Sequence, residues 1–397
     1  MVIAGSIEAA PASDAFADRL TGDWAGARNG MADHGVTFDL DSTNYYQGLL
    51  EGAGDHSFDY GGRFDAYLNF DTGRLGWWSG GQLRAHAEYF FGDLDSNLGG
   101  TVASTNLGMR LPNPGDPEDL VVTNISLAQR LNETMSLIVG KINTVDLLAN
   151  DPFFGGAGTD RFLNVAFAAP PNGLVPPVII GGILSVRQAP VVWTFMVYDP
   201  EDRTRDYLPG DLFDTGVNVS ASVRYGTTLA GRTSSIALTA IYSTADALDL
   251  RDVLLPPGLE TGIRSDSWHV GLHVSHFLRE SAVSPGDGWG LFVRMGASDG
   301  NPNPFQAWIS GGIGGRGLFA SRPDDRFGIG YFYYSLSDDL QRAVAPFTRV
   351  DNEQGIETFY DLPATPWLRV AIDLQYVNPA TADQNAFVAG VRAKIQF

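Results

Sequence analysis

Polar side chains at spacing two mark the residues of this chain that could do chemistry. RFDAYLNFD carries Arg63 and Asp65, and QLRAHAEYF carries Arg84, His86 and Glu88. On a strand each set shares one face, giving a row of fixed donors and acceptors. Guanidinium forks make paired hydrogen bonds that an ammonium cannot, and hydroxyl-rich solutes can both accept from them and donate to carboxylates. Arg63 and Arg84 are therefore the leading residues for the polar side of a solute track, with Arg369 and Asp373 in the same role near the C-terminus. On that reading, Arg63→Ala or Arg84→Ala changes solute block and leaves assembly intact. The competing reading is that the arginines and Asp65 and Glu88 simply satisfy one another. Of the 26 basic residues only Lys141 and Lys394 are lysine, a bias that solute recognition or genomic composition would each produce.

Residues 144 to 177 form a second chemical region. The stretch is too long and too rich in Gly and Pro for a turn, which makes it a functional loop. Phe153, Phe154, Phe162 and Phe167 offer flat apolar surfaces for sugar rings beside Asp160 and Arg161. Anchoring of the loop on an inner wall would use the same aromatics.

Metal and catalytic signals are weak. On a strand, His269 and His273 stand about 13 Å apart, too far to share one ion, and His276 takes the opposite face. Asp93, Asp95 and Asn97 imitate the start of a calcium loop, but Leu98 stands where the turn glycine belongs and no terminal Glu follows. Nucleophile elbow, phosphate loop and dinucleotide fingerprint are absent from the sequence. No metal, cofactor or catalytic residue is assigned.

The elements that position these residues are strands. The last twelve residues, AFVAGVRAKIQF, put Phe387, Ala389, Val391, Ala393, Ile395 and Phe397 on one face and Val388, Gly390, Arg392, Lys394 and Gln396 on the other. A transmembrane barrel strand has this pattern, with its terminal aromatic at the interface. Phe64, Ala66, Leu68 and Phe70 alternate in the same way with Arg63, Asp65, Tyr67, Asn69 and Asp71. Period-two runs bounded by turn residues predict strands at 36–46, 61–72, 81–91, 120–131, 135–142, 178–187, 190–198, 215–225, 234–243, 267–278, 289–298, 307–314, 326–335, 354–361, 367–377 and 386–397. The runs at 135–142 and 178–187 alternate too poorly to assign a face. The even number suits a bacterial barrel.

Composition agrees. Only 18% of residues are charged while glycine reaches 47, as expected of tight strands rather than an ordinary soluble domain. The most apolar run, 173–186, contains Pro176 and Pro177 and cannot be a spanning helix. The net charge of −20 argues against a nucleic-acid partner. From the clearer strands, the inner face carries Arg63, Arg84, Arg130, Arg224, Arg294, Arg369, Arg392 and Lys394 against Asp39, Asp41, Asp65, Asp71, Glu88, Glu357, Asp361 and Asp373. A wall so balanced suits a small neutral polyhydroxylated solute.

Four segments resemble the carbohydrate-selective porins of the OprB type. They are LTGDWAGARNGMADHGVTFDLD (20–41), YGGRFDAYLNFDTGRLGWWSGGQL (60–83), GKINTVDLLANDPFFGGAGTDRFLNVAF (140–167) and TPWLRVAIDLQYVNPATADQNAFVAGVRAKIQF (365–397). The first holds a short helix that Asp23 can cap and Gly35 can close. Residues 200–350 match only in general character, and AIDLQYV lacks the proline expected before its aspartate.

The resemblance implies an all-β fold: a sixteen-stranded antiparallel transmembrane β-barrel with a short N-terminal helix and an inward-folded constriction loop. Its parts are an N-terminal periplasmic segment at 1–35 and a barrel at 36–397, with the constriction loop at about 144–177. The implied activity is passive diffusion of monosaccharide-sized carbohydrates across the outer membrane of a Gram-negative bacterium, with outer-membrane lipid as the surroundings. Monomer and homotrimer stay open. Alternatives are a channel of the same fold for an aromatic or carboxylated solute, an outer-membrane barrel enzyme, and a soluble sugar-binding β-protein.

Overall fold

Alternating apolar and polar side chains cannot bury one face in a flat sheet without leaving two unpaired edges; closing the sheet removes both. The chain takes that solution in a computed structural model that describes residues 16, 18–112, 118–169, 171–207, 210–255, 261–281 and 284–397. Residues 1–15 and 17 of the expected N-terminal segment lie outside the described residues.

The first half of the wall is β1 (Val36–Glu51), β2 (Phe58–Asp71), β3 (Gly81–Gly92), β4 (Leu120–Arg130), β5 (Met135–Asn143), β6 (Val178–Gln188), β7 (Val191–Tyr198), β8 (Asn218–Leu229) and β9 (Arg232–Ser243). A two-residue ribbon, β10 (Ala247–Leu248) with β11 (Ile263–Arg264), sits apart in the following loop. The wall continues with β12 (Ser267–Glu280), β13 (Gly288–Ser298), β14 (Phe305–Arg316), β15 (Arg326–Leu336), β16 (Glu353–Thr365), β17 (Leu368–Asn378) and β18 (Ala386–Gln396). Each barrel strand pairs with its neighbour in sequence order, and β18 returns antiparallel to β1 to close the ring. All sixteen expected runs are barrel strands. The short β10–β11 ribbon was not expected, since two residues per strand carry no period.

The inner and outer faces follow the expected alternation in the clear strands. Arg63, Asp65, His86, Glu88 and Arg392 are buried, whereas Phe64, Leu291, Ile329, Ile372 and Val391 point outward and are exposed. No helix among the described residues is long and apolar enough to cross a membrane. The unclear run β5 has a physical reason. Ser136, Ile138 and Ile142 line the interior, while Lys141 turns its ammonium to the carbonyls of Thr204 and Asp206, 2.9 and 2.8 Å away.

One rim carries the long connections 93–119, 144–177, 199–217, 244–266 and 337–352; the other carries turns such as 131–134, 189–190, 230–231 and 366–367. On the short-turn side lies helix α1 (Ala27–Asp33). Asp23 accepts from the Asn29 N–H at 2.8 Å, satisfying a first-turn donor, although Gly26 is the cap residue itself. Buried Arg28 donates to the carbonyls of Phe38 and Phe397 at 2.7 and 2.8 Å, tying the helix to both ends of the barrel sheet. Gly35 closes the turn at φ +90°, where an added Cβ would lie 2.7 Å from Arg74 Cβ. Only glycine fits both demands.

Candidate functional site

The described residues of the connection 144–177 pack against inward-facing side chains of the wall. Asn143 starts the connection by accepting from the N–H groups of Val145 and Asp146 at 3.0 and 3.3 Å. The loop's aromatic residues then bury themselves on one side of the wall. Phe153, Phe154, Phe162 and Phe167 pack with Phe277, Phe292, Phe332 and Phe359 in a single cluster. Glycines on β15 leave the space: a Cβ on Gly330 would sit 2.4 Å from Phe167 Cε1, and one on Gly328 would sit 2.6 Å from Phe162 Cζ. Between Phe162 and Phe167, residues Val165–Ala168 make a helical turn capped by the Asn164 side chain.

Polar pins hold the same segment. The Glu357 carboxylate accepts the Leu163 and Asn164 N–H groups at 2.5 and 3.0 Å. Asn164 donates to Gln375 Oε1 at 3.0 Å. Arg392 donates to the carbonyls of Gly158 and Arg161 at 3.1 and 2.6 Å. Asp160 meets Arg326 at 2.6 Å and Lys394 at 3.4 Å. Burial alone would push the Asp160 carboxyl up, but Lys394, Arg326, Arg161 and Arg392 outweigh it and hold the group well below the usual carboxylate range. Burial, with Arg326 close by, brings the Arg161 guanidinium down to about 10.

A second loop, within 93–119, also enters the barrel. Glu353 accepts the N–H groups of Val102, Ala103 and Ala380 at 2.7, 2.6 and 3.0 Å. The two inward loops bond through backbone, Leu107 N–H to Leu163 O at 2.7 Å and Val165 N–H to Ser104 O at 2.9 Å. Sequence reasoning assigned 93–119 no inward course. Its length and the lone Glu353 at the start of a strand were the available signals.

The residues singled out from sequence therefore divide. Arg63, only 4% exposed, donates to Asp65 and Glu88, and reaches the carbonyls of Gly108 and Leu111 at 3.2 Å each. His86 joins them, with Nε2 3.1 Å from Asp65 and Nδ1 2.8 Å from Asp146. The ligand atoms of Asp65, His86 and Glu88 lie within 4.8 Å of one another, but the Arg63 guanidinium fills the cluster and neutralises the carboxylates in the way a cation would. Arg369 donates to Asp361 Oδ1 at 2.6 Å, and Asp373 accepts from Gln375 at 2.8 Å. Phe153 is buried in the aromatic cluster.

Arg84 and Phe154 belong elsewhere. Both line an open cavity of about 570 Å³ between the inward loops and the wall from β3 to β15, within the size range of small-molecule sites. Arg110, Arg224, Arg294, His269, His273, Trp308 and Tyr334 line it too. Of these, only Arg224 and Arg294 were placed on the inner face from sequence. The even balance of the wall as a whole does not hold locally, because most carboxylates lie behind the loops and are already paired.

Residues 55–397 match the OprB family of carbohydrate-selective porins. The chain belongs to that family. The high-pH structure of Pseudomonas putida OprB superposes with TM-score 0.81 at 19% identity over 96% of this chain and 98% of that one. The low-pH structure of the same protein gives 0.58 at 18% identity with the same coverage. OccK11 (OpdR) of Pseudomonas aeruginosa gives 0.50 at 11% over 91% of this chain and 96% of that one. At these identities the likeness is one of fold. No curated protein matches the sequence. The protein is a sugar porin of the bacterial outer membrane, and its family and fold are those of channels.

Proposed function

We propose that this porin passes monosaccharide-sized carbohydrates by passive diffusion along the cavity between its inward loops and the β3–β15 wall. The observation that carries the reading is the asymmetry of the lumen: the 144–177 loop is packed against β12–β18, and about 570 Å³ of space is left between it and the β3–β15 wall. In this account the loop is the constriction, the long-loop rim faces outward and α1 with the short turns faces the periplasm.

Translocation roles then fall to residues at the cavity surface. Arg84 supplies donors, and Phe154, with Arg294 over its ring, lines the same cavity. Arg63, Asp65, His86, Glu88, Asp160, Arg161, Arg369, Asp373 and Phe153 act indirectly, by shaping the wall and fixing the loops. Flux requires that each contact be favourable enough to admit the solute and weak enough to release it. Half-buried arginine and hydroxyl donors at the cavity surface meet that requirement, since a net hydrogen bond stabilises by only about 0.5–1.5 kcal/mol.

The test is conductance of the purified porin in a planar bilayer with glucose added to one side. Concentration-dependent block, weakened by Arg84→Ala, supports this reading. Block unaffected by Arg84→Ala removes Arg84 from the track.

A further inference from the structure

The cavity has a chemical bias that the whole wall lacks. Four arginines line it, Arg84, Arg110, Arg224 and Arg294, against two aspartates. Both aspartates are committed: Asp146 faces the His86 ring at 2.8 Å, and Asp151 accepts the N–H groups of Phe153 and Phe154 at 2.9 and 3.2 Å. The open surface therefore presents positive charge inside a chain whose net charge is −20.

Pairing register sharpens the picture. Arg224 on β8 stands opposite Ala237 on β9, Ala237 opposite His273 on β12, and His273 opposite Arg294 on β13. The four residues thus form one straight row across neighbouring strands, which lie about 4.8 Å apart. Ala237 is the small member, so the row has a recess between its two guanidinium groups. The Arg224 side chain makes no hydrogen bond and no ion pair among the described residues, and its Nε is a buried donor without a partner. Arg294 is 4% exposed. It gives one N–H group to the carbonyls of Ala166 and Phe167 and lies 3.8 Å over the Phe154 ring, yet its Nε has no partner either. His273 Nε2 is likewise unpartnered. Trp308 Nε1 and Tyr334 O–H, two positions further along the strands, complete a patch of unsatisfied polar atoms at the same cavity.

Buried donors without acceptors cost free energy unless a ligand supplies the acceptor. Arginine forks match the paired oxygens of an anionic acceptor, and a planar carboxylate is the one that a monosaccharide carries without a further substituent. Beyond the row, Trp308 and the hydroxyls of Ser126 and Ser185 offer an apolar ring and donor–acceptor groups, the complement of a sugar ring.

We propose that the Arg224–His273–Arg294 row is a carboxylate subsite, and that the preferred solute class of this porin is an acidic monosaccharide, a hexuronate or aldonate. The proposal rests on the sugar-porin reading and specifies it. Arg224 and Arg294 grip the carboxylate from either side of Ala237, and the ring lies toward Trp308. The neutral sugar lacks the charged acceptor and is held by the hydroxyl contacts alone.

Single-channel block by glucose, glucuronate and acetate, measured in the same bilayers, tests it. Glucuronate is expected to half-block at a concentration roughly tenfold lower than glucose, the lower end of what one charge-assisted hydrogen bond provides. Acetate should block far more weakly than glucuronate. Arg224→Gln should abolish the glucuronate advantage, so that glucuronate and glucose half-block the variant at similar concentrations. Equal block by glucose and glucuronate in the unsubstituted protein, a comparison needing no variant, overturns the proposal. So does acetate block equal to glucuronate block, which makes the row a plain anion site, or an advantage that survives Arg224→Gln. Channels that ignore glucose and glucuronate alike overturn the sugar-porin reading itself.

Discussion

At the scale of single residues, the structure separates arginines paired with buried carboxylates of the wall from arginines that line the cavity. Arg63 belongs to the first group, so its loss is predicted to weaken the barrel, where the sequence reading expects assembly to stay intact. Removing it strands Asp65 and Glu88 as buried carboxylates, and breaking a buried pair costs about 3–5 kcal/mol. Arg63→Ala should therefore lower the temperature at which the folded barrel converts to the unfolded form on a gel. An unchanged conversion temperature would return Arg63 to the solute track. Arg84, beside the cavity, has no such burden, and Arg84→Ala should leave that temperature alone. Sequence could show that Arg63, Asp65 and Glu88 share a face. It could not show that loop carbonyls from Gly108 and Leu111 arrive to cover them, because that depends on contacts between residues far apart in the chain.

Asp160 gives a pH prediction at the same scale. Its folded pKa is depressed by the surrounding cations, so the stabilisation it lends the loop is fully present above its unfolded pKa, about 3.9. That contribution is lost as pH falls below this value toward the depressed folded pKa. Sugar-free conductance should hold steady from neutral pH down to about pH 5 for this contact. In Asp160→Asn the docked loop should already be looser at neutral pH, read as noisier current.

Elements explain what was legible and what was not. Period-two runs with their bounding turn residues locate every barrel strand, because lipid-side and lumen-side demands differ at each step. They do not assign the faces of β5 and β6; in β5, Lys141 points away from the lumen and is capped by loop carbonyls. They say nothing of loops, whose course is set by sockets elsewhere. The glycines of RFGIGYF are such sockets, and neither has a positive φ to mark it. The loop's docking should accordingly be sensitive at two remote positions. Gly330→Ala forces a Cβ into Phe167, and Glu357→Ala leaves two backbone donors unpaired at about 1–3 kcal/mol. Both should raise open-channel conductance relative to the parent, and Glu357→Gln, which keeps one acceptor, should raise it less. Conductance equal to the parent in all three would mean that the 144–177 segment does not narrow the pore.

For the whole molecule, the distribution of charge matters more than its total. The chain is strongly acidic, and its inner face taken together is nearly balanced. Yet pairing consumes the carboxylates on the side where the loops dock, with Asp361 held by Arg369 and Arg392, and Glu353 and Glu357 by loop N–H groups. The unpaired arginines are left at the cavity. Side-chain counts from sequence average over both halves and lose this segregation.

A sugar path through the cavity beside the inward loop is read in single-channel current of the purified protein in a planar bilayer, titrated with glucose. Stable open channels are expected whose current falls in steps as sugar enters, with a dependence that saturates. Open channels whose current is indifferent to glucose and to every other monosaccharide would contradict it.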